Sequence, residues 1–314
     1  MTLIEKCKIV PRIWKGGLEL ISRYPRALFP FIFVGIADAV ILTVIYLIPR
    51  EPFSKLLAPV VRAFWGEQFL HYPMNLTLIP KLFQYSHIVM IGFVGVIMTG
   101  IAVGMIDQAV KGLNPGIFSA LTYALRRFTP LLIVWFTMFG IVSGSFRLTQ
   151  LVLGRLYAAG YLEALPLSRE AVGEFFFWAN ILFSIVVEVA FLYVIPAIII
   201  ERRGLLSAFR RGLALSRKYF LATFLLIFVP SILYMAVIFL KMNITLLSNT
   251  FFPEAILWVL GLGIAISVVI DFAVTTAGTL LFLLDKQGSW VLEGGKPARS
   301  RVLESEPQPA LNAA

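Results

Sequence analysis

Apolar residues along this 314-residue chain gather into six long runs, 27–48, 88–106, 130–156, 175–200, 220–240 and 255–284, separated by shorter polar or basic stretches. A hydrocarbon core takes about 20 consecutive apolar residues per helix, and each run meets or approaches that length. Run 130–156 is the least clean, because Arg147 and Arg155 interrupt its second half. Backbone in lipid must satisfy its own hydrogen bonds, and barrel strands are only about ten residues long. The runs therefore predict six transmembrane helices. The expected fold is all-α and polytopic: three hairpins in one domain over residues 1–290, followed by a disordered cytoplasmic tail at 291–314 that contains Gly, Pro and Ser.

The stretches before the odd-numbered runs have a period of their own. In 203–218 the polar positions Arg203, Ser207, Arg210, Arg211, Arg217 and Lys218 recur at helical spacings, while Leu205, Leu206, Phe209 and Leu213 fall opposite. That pattern predicts a helix lying in the membrane interface, apolar side in the acyl boundary and basic side towards lipid phosphates. Segment 12–26 has the same form, with Arg12, Lys15, Glu19, Ser22, Arg23 and Arg26 against Ile13, Trp14, Leu18 and Ile21. Laid without gaps, 17–33 and 212–228 agree at 8 of 17 positions, among them Gly17 with Gly212, Leu20 with Leu215, Tyr24 with Tyr219 and Ala27 with Ala222. Segment 119–136 is a weaker third copy, carrying Arg126 and Arg127 just before Pro130. The repeating unit is interfacial helix, span, outer loop, span. Three such units allow a pseudo-threefold or a serial bundle. In the longest outer connection, 50–87, Phe53, Leu56, Leu57, Val60, Val61, Phe64 and Trp65 keep helical spacing and predict one more amphipathic helix, on the outer leaflet.

Composition narrows the class. Hydrophobic residues make up 59% and charged residues 14% of the chain, against roughly 45–50% and about 25% in soluble domains. With the N-terminus inside, segments 1–26, 107–129, 201–219 and 285–314 hold 6, 3, 6 and 4 of the 27 Lys and Arg, or 19 in all. This asymmetry predicts both termini in the cytoplasm and, for a bacterial cell, a multi-pass inner-membrane protein. The first run lies behind a long amphipathic segment with no cleavage-site pattern, so it is expected to remain in the mature chain. The net charge of +10 then reflects topology and attraction to anionic headgroups. Anionic lipid is the expected partner of Arg12, Lys15, Arg23, Arg126, Arg127, Arg203, Arg210, Arg211, Arg217 and Lys218. Another membrane protein is a second possible partner, and nucleic acid is not expected.

Ionisable groups inside spans are costly in lipid and are the first place to look for function. Asp38, Glu188 and Asp271 fall near mid-span, one per hairpin. Glu188 and Asp271 precede Glu201 and Asp285 by 13 and 14 residues, which suggests equivalent positions. One reading is a polar centre for a cation, a proton or a headgroup amine. The other is structural: acids held neutral, or paired with Arg147 and satisfied by Ser143, Thr149 or Tyr193. His71 and His87 are placed in or beside the first outer loop, apart from the acids. No nucleophile elbow, HExxH or paired-carboxylate signature is present, and the single Cys7 offers neither a disulfide nor a thiolate metal site. No enzyme activity, cofactor or metal is expected.

The series Pro196-x4-Glu201-x2-Gly204-x3-Ala208, running from the end of a span into its elbow, resembles a pattern in six-helix bacterial membrane domains. Some of these precede the catalytic domain of glycerophosphodiester phosphodiesterases, and others stand alone as inner-membrane proteins of the YciC type. Residues 275–288, "TTAGTLLFLLDKQG", are similar to the close of their last span. The chain departs from the pattern at Arg211-Gly212, where an Arg-Ser pair is more usual. The resemblance implies a six-helix domain over roughly 10–290 and carries no phosphodiesterase activity, since only some 30 residues follow the last run. Two functions follow as expectations: a non-enzymatic membrane-organising or accessory protein, and, as the alternative, a small transporter or channel using Asp38, Glu188 and Asp271.

Overall fold

The computed structural model describes residues 3–160, 168–243 and 252–287; the expected tail at 291–314 lies outside the described residues. Six helices among these are long and apolar enough to cross a membrane, and no strand occurs. The chain is an all-α multi-pass membrane protein. Helices α1 (Leu3–Arg23), α6 (Ile117–Arg126) and α10 (Leu205–Lys218) precede spans 1, 3 and 5. Span 1 is α2 (Phe29–Tyr46), and α3 (Phe53–Trp65) follows in the connection between spans 1 and 2. Span 2 is α4 (Met74–Met90), continued through a π-helical turn at Ile91–Gly95 into α5 (Val96–Val110). Spans 3, 5 and 6 are α7 (Phe128–Ala158), α11 (Phe220–Met242) and α12 (Ala255–Gln287). Span 4 is α8 (Arg169–Phe191) with the short α9 (Val194–Ile199) at its end.

Span 2 corrects the sequence expectation. It begins at Met74, not near 88, despite Pro80, Lys81 and Gln84. Leu76, Leu78, Ile79 and Phe83 are buried on this added stretch, which packs along span 1. Burial of that face extends a helix whose average hydropathy alone would have ended it.

The spans form a closed ring. Each contacts the next in sequence, and span 6 returns to span 1. The elbow helices follow the same cycle: α1 rests on span 6, α6 on span 2 and α10 on span 4. Each elbow thus sits on the even-numbered span of the hairpin before it, which selects the pseudo-threefold arrangement over the serial one. The contacts use small residues, as close helix approach in membranes requires. Ala120 and Ala124 of α6 meet Gly104 and Gly100 of span 2. A Cβ on Gly212 would stand 2.7 Å from Val194 Cγ2, and one on Gly17 would stand 3.6 Å from Thr276 Cγ2.

Burial explains the internal repeat. Gly17 and Gly212, and Leu20 and Leu215, are buried on the inward side of α1 and α10, and Ala27 and Ala222, just past the ends of those helices, are buried too. Leu18 and Leu213, the matched pair off that face, are both exposed. The repeat therefore preserves a docking face. On α10 the inward residues are Ala208, Gly212, Leu215 and Ser216, while Leu206 and Leu213 of the apolar row are exposed on the protein surface.

The two largest apolar cores lie towards opposite ends of the bundle. One lies at the elbow end and joins Ile13 and Leu20 of α1 to Val103, Ile198, Leu215 and Phe282. The other lies at the opposite end, where Leu42, Ile45, Val61, Leu76, Phe83 and Leu260 meet. Helix α3 forms as expected and joins this second core through Val61, with Leu56 and Phe64 each 75% exposed.

Candidate functional site

The bundle also encloses an unfilled space. A cavity of about 230 Å³ is bounded by spans 1, 2, 3, 4 and 6, and Glu188 and Asp271 both line it. Glu188 is half-buried and Asp271 keeps exposed surface, although its neighbours Phe272 and Val274 are buried. Span 2 borders the cavity at Ile91 and Gly95, the two ends of its π-helical turn. Such turns swell a helix locally and are frequent at functional positions. Counting back from the end acid Asp107 as from Glu201 and Asp285, the position on span 2 equivalent to Glu188 and Asp271 falls within this turn. Two even spans bring a carboxylate to the cavity, and the third brings a distorted backbone.

Asp38 is the third mid-span acid, and its partner is a residue the sequence had set apart. Val34 on span 1 and Ile91 on span 2 line the cavity; one turn beyond each, Asp38 Oδ1 and His87 Nδ1 stand 2.9 Å apart. Asp38 is 1% exposed and His87 28%. His87 thus belongs with the acids, because span 2 starts early enough to carry it inside the bundle. Their separation along the sequence and the misplaced start of span 2 hid this. The signal available was the helical spacing of Leu76, Ile79, Phe83, His87 and Met90.

The expected pairing of the acids with Arg147 is not formed. Arg147 is exposed, about 28 Å along the helix from Phe128, which places it near the far side of a core about 30 Å thick. Thr149 instead bonds Asn180 of span 4, whose Nδ2 lies 3.0 Å from Thr149 Oγ1. Tyr193 donates to Thr223 Oγ1, which itself donates to Tyr219 O at 3.0 Å. Ser143 bonds no acid among the described residues and lies half-buried on span 3.

At the elbow end, Asp107, Glu201 and Asp285 close spans 2, 4 and 6, and each meets a cation. Lys111 Nζ lies 2.5 Å from Asp107 Oδ2. Glu201 takes Arg203 as a close partner and Arg211 Nε at 3.6 Å. Asp285 accepts from Arg211 at 2.8 Å, Lys218 at 2.5 Å and Tyr219 at 3.2 Å. The hydrogen bond to Asp285 raises the Lys218 pKa above its ordinary value. Three of the expected lipid contacts, Arg203, Arg211 and Lys218, are therefore engaged within the protein. Arg12, Lys15, Arg23, Arg126, Arg210 and Arg217 are exposed, and Arg127 is half-buried.

The Pro196–Ala208 series acquires a structural reason. Pro196 is buried and lines the cavity. Glu201 anchors the turn, Arg202 adopts φ 56° and Arg203 N donates to Ala197 O at 3.2 Å. Gly204 caps α10 and Ala208 is fully buried beneath it. The Arg202 guanidinium lies 5.4 Å from the centre of the Tyr123 ring, which ties this turn to α6. No family model, curated protein or solved structure matches the chain.

Proposed function

We propose that this chain is a non-enzymatic integral membrane protein of the small-transporter class, whose interior cavity binds a cation. The observation that carries the reading is the convergence of Glu188 and Asp271, from different hairpins, on one cavity between spans. Lipid-embedded carboxylates are expensive, and such groups commonly mark an ion or substrate path. The cavity lining contains no Lys, Arg or His, so its charge suits a cation. In this reading both termini face the cytoplasm of a bacterial inner membrane, in keeping with the 19 of 27 basic residues on that side. The resemblance to six-helix bacterial membrane domains supports the same placement.

A second role rests on the exposed cations Arg12, Lys15, Arg23, Arg126, Arg210 and Arg217. Held at the elbow end, they suit anionic headgroups and a membrane-organising or accessory function beside another membrane protein.

The test of the cation site is chemical. Dicyclohexylcarbodiimide, an apolar carboxyl reagent, should modify Glu188 and Asp271 in the reconstituted protein, read by mass spectrometry of the peptides. A bound cation should slow that labelling. Indifference of both residues to Na⁺, K⁺ and alkylammonium ions would remove the cation site and leave the accessory role.

A further inference from the structure

The polar groups offered to the cavity are mostly acceptors. Besides the carboxylates of Glu188 and Asp271, the lining includes Thr99, Thr275 and Thr279 and the indole of Trp135. Thr99 Oγ1 donates to Gly95 O at 2.9 Å, and Thr279 Oγ1 donates to Thr275 O at 2.7 Å. Those two hydroxyls keep only lone pairs for a guest, while Thr275 and Trp135 each carry one donor. With two carboxylates and no Lys, Arg or His in the lining, the charge of the site favours a cation.

The remainder of the wall is carbon. Val96, Val103, Val134, Met138 and Ile195 line it, with the aromatic rings of Phe31, Trp135 and Phe191. The Trp135 ring is held in place, stacked on Phe139 at 5.0 Å between centroids and resting over Gly92, where a Cβ would come within 2.9 Å of it. Hard inorganic cations such as Ca²⁺ take about six or more oxygen ligands. Among the described residues no group of three or more His, Cys, Asp or Glu is placed to hold a metal ion. A bare ion would exchange most of its hydration for hydrocarbon. An organic ammonium ion has the opposite needs: one charge to neutralise and an apolar body to bury, with aromatic faces adding cation–π attraction.

We propose that the cavity takes an organic ammonium ion with an apolar body, its charge against Glu188 and Asp271 and its carbon skeleton against Phe31, Trp135 and Phe191. This inference rests on the cation-site reading above and names its substrate class. The volume of about 230 Å³ suits a guest with one ring or a few short chains.

The probe is benzyltrimethylammonium, measured by equilibrium dialysis against the purified full chain in detergent. Its neutral carbon isostere, neopentylbenzene, serves as competitor. Binding should saturate and should weaken by at least about ten-fold in Glu188→Gln or Asp271→Asn. Trp135→Leu should weaken it several-fold, and neopentylbenzene should compete poorly. Competition by the neutral compound at equal strength would overturn the inference by making the cavity a plain apolar pocket. Carbodiimide protection by Na⁺ or K⁺ without benzyltrimethylammonium binding would overturn it too, while sparing the cation site. Protection by no cation at all would remove both. Should the variants misfold, the wild-type competition and protection arms still decide.

Discussion

Asp38 and His87, 49 residues apart in sequence, meet across spans 1 and 2 with Oδ1 and Nδ1 at 2.9 Å. The pair is asymmetric, since Asp38 is 1% exposed and His87 28%. Removing the imidazole leaves the deeply buried Asp38 carboxyl without its hydrogen-bond partner, whereas removing the carboxyl leaves a ring that still reaches the surface. His87→Leu should therefore cost about 3 kcal/mol of unfolding free energy. Asp38→Leu should cost about 1 kcal/mol, and the double variant should be less damaged than the sum of the two. Unfolding in detergent followed by tryptophan fluorescence measures all three. Equal and additive losses would show that the two residues stabilise the bundle independently.

The docking face of the elbows gives a contrast between two glycines. A Cβ on Gly212 meets Val194 at 2.7 Å on its side chain and 3.1 Å on its backbone nitrogen, while one on Gly140 meets nothing within 4 Å. Gly212→Ala should destabilise by about 1–3 kcal/mol through overpacking. Gly140→Ala should be neutral or gain up to about 1 kcal/mol from helix propensity. Thermal midpoints of the purified variants report the difference, and a neutral Gly212→Ala would mean α10 does not hold to span 4 by this contact.

The basic elbow divides into two groups with different readouts. Arg210→Gln with Arg217→Gln should reduce association with anionic vesicles by about 1 kcal/mol per residue at low salt, leaving the thermal midpoint unchanged. Arg211→Gln with Lys218→Gln should lower the midpoint instead, because Asp285 loses both of its cationic partners. Vesicle co-sedimentation and thermal unfolding, run on the same preparations, separate the two. Equal effects on both readouts would merge the groups.

Topology has a direct check. Reporters fused after Gly66 and after Gly288 should report opposite sides of the membrane, the first outside and the second cytoplasmic. Finding both on one side would contradict the order of spans that brings α1, α6 and α10 to one end.

Much of this architecture is written in local patterns. The six apolar runs and the elbow before each odd span need only periodicity, since each concerns residues within a few turns of one another, and the match of Gly17 with Gly212 needs only the chain laid against itself. The start of span 2 was not legible, because Lys81 and Gln84 lower its hydropathy and only contact with span 1 reveals that Ile79 and Phe83 are buried. His87 was missed for the same reason. The partners of Asn180 and Tyr193 lie 31 and 30 residues away on neighbouring helices, and no spacing along a single helix announces them. Mid-span acids could be picked out by cost alone. That Glu188 and Asp271 share one cavity depends on the order of the ring, which is a property of the whole chain.

The seat of α1 on span 6 has a consequence for how the protein is made. A chain inserted hairpin by hairpin presents α6 and α10 with their seats already built, because spans 2 and 4 precede them. The seat of α1 does not exist until the last described span has entered the membrane. Helix α1 is then made before its seat and docks after α6 and α10, and it acts as the clasp of a ring that stays open until span 6 is in place. A clasp also makes the starting point arbitrary. A permuted chain, opened in the 111–116 connection and with its former ends joined by a linker, traverses the same six spans and leaves α6 to close the circle in place of α1.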